Sequence, residues 1–329
     1  MTRWTAEQAN AWYAAQPWPV GCNFIPSNAI NQLEMWQAET FDPATIDREL
    51  GWAEELGFNT LRVYLHDLLY AADAGGFLGR IDRFLDLAGA HGIRPALVLF
   101  DDCWNPDAKL GPQPAPKPGI HNSGWVQSPG VRIANDPALW TGLDTYVQGV
   151  IGAFAQDERI LFWDLYNEPG NNQQSARSLP LLKQTFAWAR EASPSQPLTA
   201  GIWFDNEELN AFQLAASDII TFHNYNDAAD LQRQIDALRA HGRPLICTEW
   251  LRRGHSEVAE CLPVFHKERV GCINWGLVSG KTQTIFAWDT PTDGTEPELW
   301  FHDLLRQDGT PFNPAEIETF KRYTRQAAP

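Results

Sequence analysis

A formal net charge of −16 on 329 residues, with no basic stripe to offset it, repels polyanions and excludes nucleic acid as a partner. Hydrophobic residues at 44% and charged residues at 20% exclude a disordered chain and supply apolar material for one large core or two ordinary domains. No apolar run is long enough to span a bilayer and MTRWTAEQANAWY lacks the apolar stretch of a secretion signal, so no membrane contact and a cytoplasmic location are expected.

From the N-terminus, the first β-rich run is 19–25 (PVGCNFI). Asp42-Pro43 then opens a helix, with proline at its first position, and Gly57 closes it. Runs at 59–65 (NTLRVYL) and 94–100 (RPALVLF) follow, separated by a helical stretch ending at His91-Gly92. Segment 101–135 holds six prolines, whose rings each fix a backbone torsion, so it reads as a stiff wall rather than a slack linker. Asp136-Pro137 starts another helix, and the runs 160–166 (ILFWDLY), 198–203 (LTAGIW) and 219–225 (IITFHNY) come next. A helix closed by His241-Gly242 leads to 244–250 (PLICTEW) and finally 271–275 (GCINW).

Eight strands alternating with helices call for parallel pairing, and a (β/α)8 TIM barrel spanning 1–329 as a single domain accommodates them. Helix-to-strand connections are short, whereas the strand-to-helix loops 26–42, 101–135 and 276–297 are long. In such a barrel those loops all gather on the C-terminal face, where active sites lie.

WDLYNEP (163–169) and ICTEW (246–250) each end a buried strand on a glutamate, Glu168 and Glu249. Two carboxyl groups across one cleft are what glycosidic cleavage requires, because one gives a proton while the other attacks. Alternate residues of a strand share a face, which groups Thr221, His223 and Tyr225, and likewise Leu245, Cys247 and Glu249. Tyr225 and Arg62 can each donate to Glu249 and favour its charged form, while burial and the charge of Glu249 favour a proton on Glu168. Retention of configuration then needs carboxyl groups about 5–5.5 Å apart. Fifteen tryptophans offer flat apolar faces suited to stacking on sugar rings. No metal or organic cofactor is expected: the five cysteines have no C-x-x-C spacing, and there is no H-E-x-x-H or EF-hand pattern. SGKT at 279–282 lacks the first P-loop glycine, since position 275 is Trp275.

Asn-Glu-Pro ending strand four, with a glutamate ending strand seven, resembles the clan A retaining glycoside hydrolases, most closely glycoside hydrolase family 5 of cellulase and mannanase type. The likeness covers essentially the whole barrel. It implies that Glu168 is the general acid/base, Glu249 the nucleophile and Asn167 the partner of the sugar 2-hydroxyl. His223 and Tyr225 match the family's His-x-Tyr on strand six, Arg62 its strand-two arginine, and Trp275 the tryptophan under the reacting sugar. The activity implied is double displacement on β-linked oligosaccharides of gluco-, manno- or xylo-type, through a covalent glycosyl-enzyme. Many members carry a histidine just after strand three, where this chain reads FDDCWN; His66 is a substitute for that space.

Asp101, Asp102 and Trp104, with Glu34 and Trp36 from the unmatched stretch NAINQLEMW, are candidate substrate contacts. Trp163 and Trp188 read as packing, while Trp125, Trp203, Trp250 and Trp288 read equally as core or as stacking faces. Long loops around the mouth favour a pocket and chain-end attack on short oligosaccharides. Two alternatives stand beside hydrolysis: transglycosylation through the same intermediate, and a non-catalytic carbohydrate-binding barrel, which needs aromatics but not both glutamates.

Overall fold

The computed structural model describes residues 2–288 and 291–326. Eight parallel strands, β1 (Val20–Asn23), β2 (Thr60–Tyr64), β3 (Arg94–Asp101), β4 (Phe162–Asn167), β5 (Leu198–Thr199), β6 (Ile220–His223), β7 (Leu245–Glu249) and β8 (Gly271–Trp275), pair in the order β5-β4-β3-β2-β1-β8-β7-β6. Ile202 closes the ring: its amide donates to Thr221 O at 3.0 Å and its carbonyl accepts from His223 N at 2.9 Å. The (β/α)8 barrel expected from the alternation is therefore the architecture found. Strand five is shorter than the run 198–203, because beyond Thr199 the chain leaves β4 and crosses the seam to β6 at Ile202.

Helices α1 (Ala6–Ala14), α2 (Gln32–Trp36), α3 (Pro43–Glu55), α4 (Asp67–Ala90), α5 (Val131–Ala134) and α6 (Thr141–Ala153) belong to the first half of the chain. The second half supplies α7 (Leu179–Glu191), α8 (Glu207–Ala216), α9 (Ala228–Arg239), α10 (Val258–Lys267) and α11 (Pro314–Thr324). Asp42 caps α3 by accepting from Ala44 N and Thr45 N, with Pro43 at the first position, as the sequence signal required. Asp136-Pro137 opens a 3-10 turn over 137–139 that runs on into α6. Among the described residues, no helix is long and apolar enough to cross a membrane.

The barrel interior changes character with height. At the N-terminal end Ala96, Phe162, Ile246 and Ile273 pack on Ala9 and Tyr13 of α1, which plugs that opening with apolar surface. Fully burying side chains of this size is worth about 1.5–3 kcal/mol each. Outside the strands, Leu61, Val63, Leu97, Leu99 and Cys247 join the helices in one continuous core. Above the apolar floor the interior becomes polar, with Asn23, Arg62, Asp164 and Thr221 buried.

The three long loops lie against one another on the C-terminal face. Asn122 N donates to Thr282 O at 2.8 Å, and Thr292 N to Gly119 O at 3.2 Å. Gln283 accepts from Gly119 N and donates to the carbonyls of Lys117 and Ile120. Gly119 has φ +70°, and a Cβ there would sit 2.4 Å from Thr292 Oγ1, so only glycine permits this approach. The first loop joins in through Asn31 Nδ2 to Gly124 O and Gln32 Nε2 to Val126 O. Positions 289 and 290 of the 276–297 loop lie outside the described residues.

Candidate active site

A cavity of about 920 Å³ opens at the C-terminal mouth, lined by Asn167, Glu168, His223, Tyr225, Glu249, Trp275 and Trp104. One oxygen of Glu168, one of Glu249 and a ring nitrogen of His223 lie within 4.8 Å of one another. That spacing matches the separation retention requires, about 5–5.5 Å between carboxyl groups, and leaves no room for an intervening water. The same trio has the donor types of a small metal site, and its carboxylate oxygens and His223 Nδ1 are engaged with one another and with Arg62, Tyr64, Tyr225, Asn171 and Cys103.

Glu249 is surrounded by donors. Its Oε1 accepts from Arg62 Nη1 at 2.9 Å and Tyr64 Oη at 3.0 Å, and its Oε2 from Tyr225 Oη at 2.8 Å. Burial raises its pKa, and Glu168 raises it further, whereas Arg62 and the Tyr225 hydrogen bond pull it down. His223 would also favour the anion if charged, but burial lowers its pKa to about 4, so at neutral pH the cation facing Glu249 is Arg62.

Glu168 has a different shell. Its Oε2 accepts from Asn171 Nδ2 at 2.6 Å and the Cys103 thiol at 3.2 Å, while Oε1 lies 2.9 Å from His223 Nδ1. Burial pushes its pKa up, and the Cys103 and Asn171 hydrogen bonds only partly oppose that. The Arg62 guanidinium pairs with Glu249 and makes no hydrogen bond to Glu168, which favours the charged form on Glu249 over that on Glu168. Glu168 has φ +43° immediately before Pro169, a sparsely populated conformation held by the contacts of the following turn. Asp102 anchors that turn, accepting from Gly170 N, Ser178 Oγ and Tyr166 Oη.

Arg62 is the hub beneath both glutamates. Fully buried, it bonds Asp164 (2.8 Å), Asn23 (3.0 Å), Tyr64 (2.5 Å) and Asn167 (2.7 Å) besides Glu249. Its contact with Asn167 Oδ1 fixes that amide, since Nδ2 must then face Asp101 Oδ1, at 2.9 Å.

Strict strand alternation fails at the ends of both glutamate-bearing strands. Ile246 belongs to the barrel floor and Cys247 to the outer core, so the face Leu245-Cys247-Glu249 is not the mouth-lining one. Glu249 reaches the cavity because the pairing with β6 shifts register at Phe222/His223. On β4 the inward residues are Asp164 and Asn167, three apart, with Leu165 and Tyr166 packed outward. The grouping of Thr221, His223 and Tyr225 holds.

Several expected substrate contacts serve other purposes. Glu34 accepts from Ile30 N and pairs with Lys281 Nζ at 2.5 Å, tying the first loop to the last, and does not line the cavity. Trp36 is fully buried against Phe41, Phe77 and Phe84, its Nε1 donating to Tyr64 O, so it is core. Asp101 is buried behind the site, receiving Trp125 Nε1, Asn167 Nδ2 and Cys103 N, and Asp102 anchors the turn rather than a sugar. His66 pairs with Asp67 away from the cavity. Trp125 and Trp250 are core, as are Trp163 and Trp188, whereas Trp203 and Trp288 line the cavity.

The reading of residues missed Tyr64, Asn171 and Cys103. Tyr64 carried a signal, standing two positions after Arg62 on the same strand and hence on the same face. Asn171 and Cys103 carried none, since their contact with Glu168 depends on the turn after β4.

An eight-stranded parallel barrel with two opposed carboxyl groups at its C-terminal mouth defines the class of glycoside hydrolases. Residues 27–281 match the family model Cellulase (glycosyl hydrolase family 5), and the chain belongs to that family. It is a retaining β-glycoside hydrolase. No curated protein matches it.

Solved structures with the same fold include the GH5_18 protein of Streptomyces cattleya in complex with GlcNAc, at 16% identity and TM-score 0.63, covering 94% of this chain and 81% of that one. The exo-beta-1,4-mannosidase Op5Man5 from Opitutaceae bacterium strain TAV5 is 19% identical with TM-score 0.62, covering 93% and 59%. The endo-beta-1,4-mannanase from Thermotoga petrophila is 14% identical with TM-score 0.61, covering 96% and 78%.

Proposed function

We propose that Glu249 attacks the anomeric carbon while Glu168 protonates the departing glycosidic oxygen. The observation that carries this is the division of partners: Arg62, Tyr64 and Tyr225 hold Glu249 as a carboxylate, and Glu168 keeps a proton in a buried setting. Because Asn171 and Cys103 donate to Oε2, that proton rides on Oε1, which lies 2.9 Å from His223 Nδ1. Attack forms the Glu249–C1 bond as the C1–O bond breaks, and the aglycone leaves with the Glu168 proton. Glu249 is then an ester without charge, so Glu168 takes a proton from water, which attacks C1 and releases the sugar with its original configuration. Asn167 Nδ2 donates to Asp101 Oδ1 and, at 3.4 Å, to Cys103 Sγ, and it exchanges this second, weaker hydrogen bond for the sugar 2-hydroxyl, while Trp275 supplies the floor.

The same reading makes attack proceed from the non-reducing end. The aglycone leaves past Glu168, where Asn172, Asp205 and Asn226 form an exposed margin. The side behind Glu249 and Trp275 is walled by His121, Asn122 and Trp288 from the interlocked loops. A short β-linked oligosaccharide fits, and the β-1,4-mannosidase and β-1,4-mannanase neighbours support testing the manno-type first.

Glu168→Gln lowers kcat on an aryl β-mannoside or β-glucoside with a poor leaving group by about 10²–10⁴. Glu249→Ala abolishes turnover, and azide restores it with the inverted glycosyl azide as product. A wild-type kcat for Glu168→Gln on the poor leaving group, or turnover by Glu249→Ala without azide, refutes the assignment. Chromatography of reduced oligosaccharide digests shows single sugars released from the chain end, and mid-chain fragments contradict the one-sided pocket.

A further inference from the structure

The closed side of the cavity holds a histidine that the mechanism does not use. His121 is 2% exposed and sits at the tip of the long loop after β3, with Trp104, Trp288, Phe301 and His302 as ring neighbours. Its Nδ1 lies 2.8 Å from the carbonyl of Phe286. A carbonyl only accepts, so Nδ1 carries the hydrogen, and in the neutral ring Nε2 presents a bare lone pair. Among the described residues Nε2 has no hydrogen-bond partner, and the residue lines the cavity.

Its neighbour Asn122 repeats the pattern independently. Asn122 is 1% exposed, its backbone is pinned by Thr282 O, it lines the same cavity, and its Oδ1 is unpartnered. Buried polar groups left without partners are costly, about 1–3 kcal/mol each, unless something binds them. Asn122 Oδ1 is one such group, and His121 Nε2 beside it offers a second acceptor on the cavity wall, both on a loop that packs against its neighbours.

We propose that His121 and Asn122 bind hydroxyl groups of the terminal, non-reducing sugar, with His121 Nε2 accepting from one hydroxyl and the Asn122 amide completing the contact. This rests on the proposed placement of the glycone behind Glu249, and makes the pair the element that selects which sugar occupies the blind end. Burial, which lowers the His121 pKa to about 4, keeps the acceptor neutral throughout the range in which Glu168 works.

The test compares His121→Phe, which keeps a flat ring among the aromatic neighbours, with the wild type on p-nitrophenyl β-mannoside and its 3-, 4- and 6-deoxy analogues. If the β-glucoside is the better substrate, the corresponding gluco series is used. The expected result is about a tenfold lower kcat/KM on the parent sugar. On one monodeoxy analogue, variant and wild type become equal, because the hydroxyl that His121 reads is gone. The same loss on the parent and on every analogue, or no loss on the parent, overturns the proposal. Asn122→Ala run through the same series gives an independent answer if His121→Phe does not fold. Failure of the catalytic assignment appears separately, as a wild-type kcat for Glu168→Gln on a poor leaving group or azide-independent turnover by Glu249→Ala.

Discussion

Glu168 and Glu249 are chemically identical side chains at the ends of β4 and β7, and they differ in what surrounds them. Glu249 receives a guanidinium and two phenols, while Glu168 receives an amide and a thiol and has the His223 ring nitrogen at 2.9 Å. Burial raises the pKa of Glu168 above the ordinary 4.5, so the acid holds its proton to higher pH and the falling, basic limb of kcat/KM moves upward. That limb reports loss of the Glu168 proton. It is therefore expected in the pH profile of a poor leaving group and absent in Glu168→Gln measured with a dinitrophenyl glycoside, whose leaving group needs no proton. A basic limb unchanged in that variant would assign it to another group. The Cys103 thiol contact with Glu168 was not legible beforehand, because it depends on how the turn after β4 is folded.

Among the elements, the long loops decide the shape of the cavity. Proline content correctly marked the 101–135 segment as a stiff wall, but not what it leans on. Gln283, on the loop after β8, holds that wall with three hydrogen bonds to Lys117, Gly119 and Ile120. Net worth of about 1 kcal/mol per hydrogen bond makes Gln283→Ala a local loosening rather than a global failure. The expected outcome is a severalfold rise in KM with a smaller change in kcat, together with faster limited proteolysis within 105–125. Unchanged KM and unchanged cleavage would show that the wall stands without this contact. The unmatched stretch after β1 belongs to the same system, since Glu34 ties to Lys281 and Trp36 anchors beneath, which is why neither meets a sugar.

For the whole molecule, the barrel is an apolar plug carrying a buried polar storey. Arg62 neutralises Asp164 and Glu249 from β2, and it also bonds Asn23 on β1 and Asn167 on β4. Removing one partner from such a buried network leaves uncompensated charge and costs about 3–5 kcal/mol. Arg62→Met is thus expected to lose activity and to lower Tm by about 4–7 °C in calorimetry. A Tm within about 2 °C of wild type would show that Asp164 and Glu249 simply take up protons at little expense. Arg62 is fully buried and does not line the cavity, so it acts on Glu249 and Asp164 rather than as a substrate contact.

Local chemistry was enough to identify the barrel and its two glutamates. Apolar β-rich runs punctuated by Asp-Pro and His-Gly signals set eight strand-helix units, and a carboxylate at the end of an apolar strand is too costly to lack a purpose. Tertiary structure alone decided which way each side chain near a strand end points, because alternation is a property of regular backbone and lapses at the register shift beside Glu249 and at the left-handed Glu168. It also decided that Asp101, Glu34 and Trp36 work behind the site while Tyr64, Asn171 and His121 face it. Those assignments depend on contacts between segments far apart along the chain, and spacing within any one segment carries no information about them.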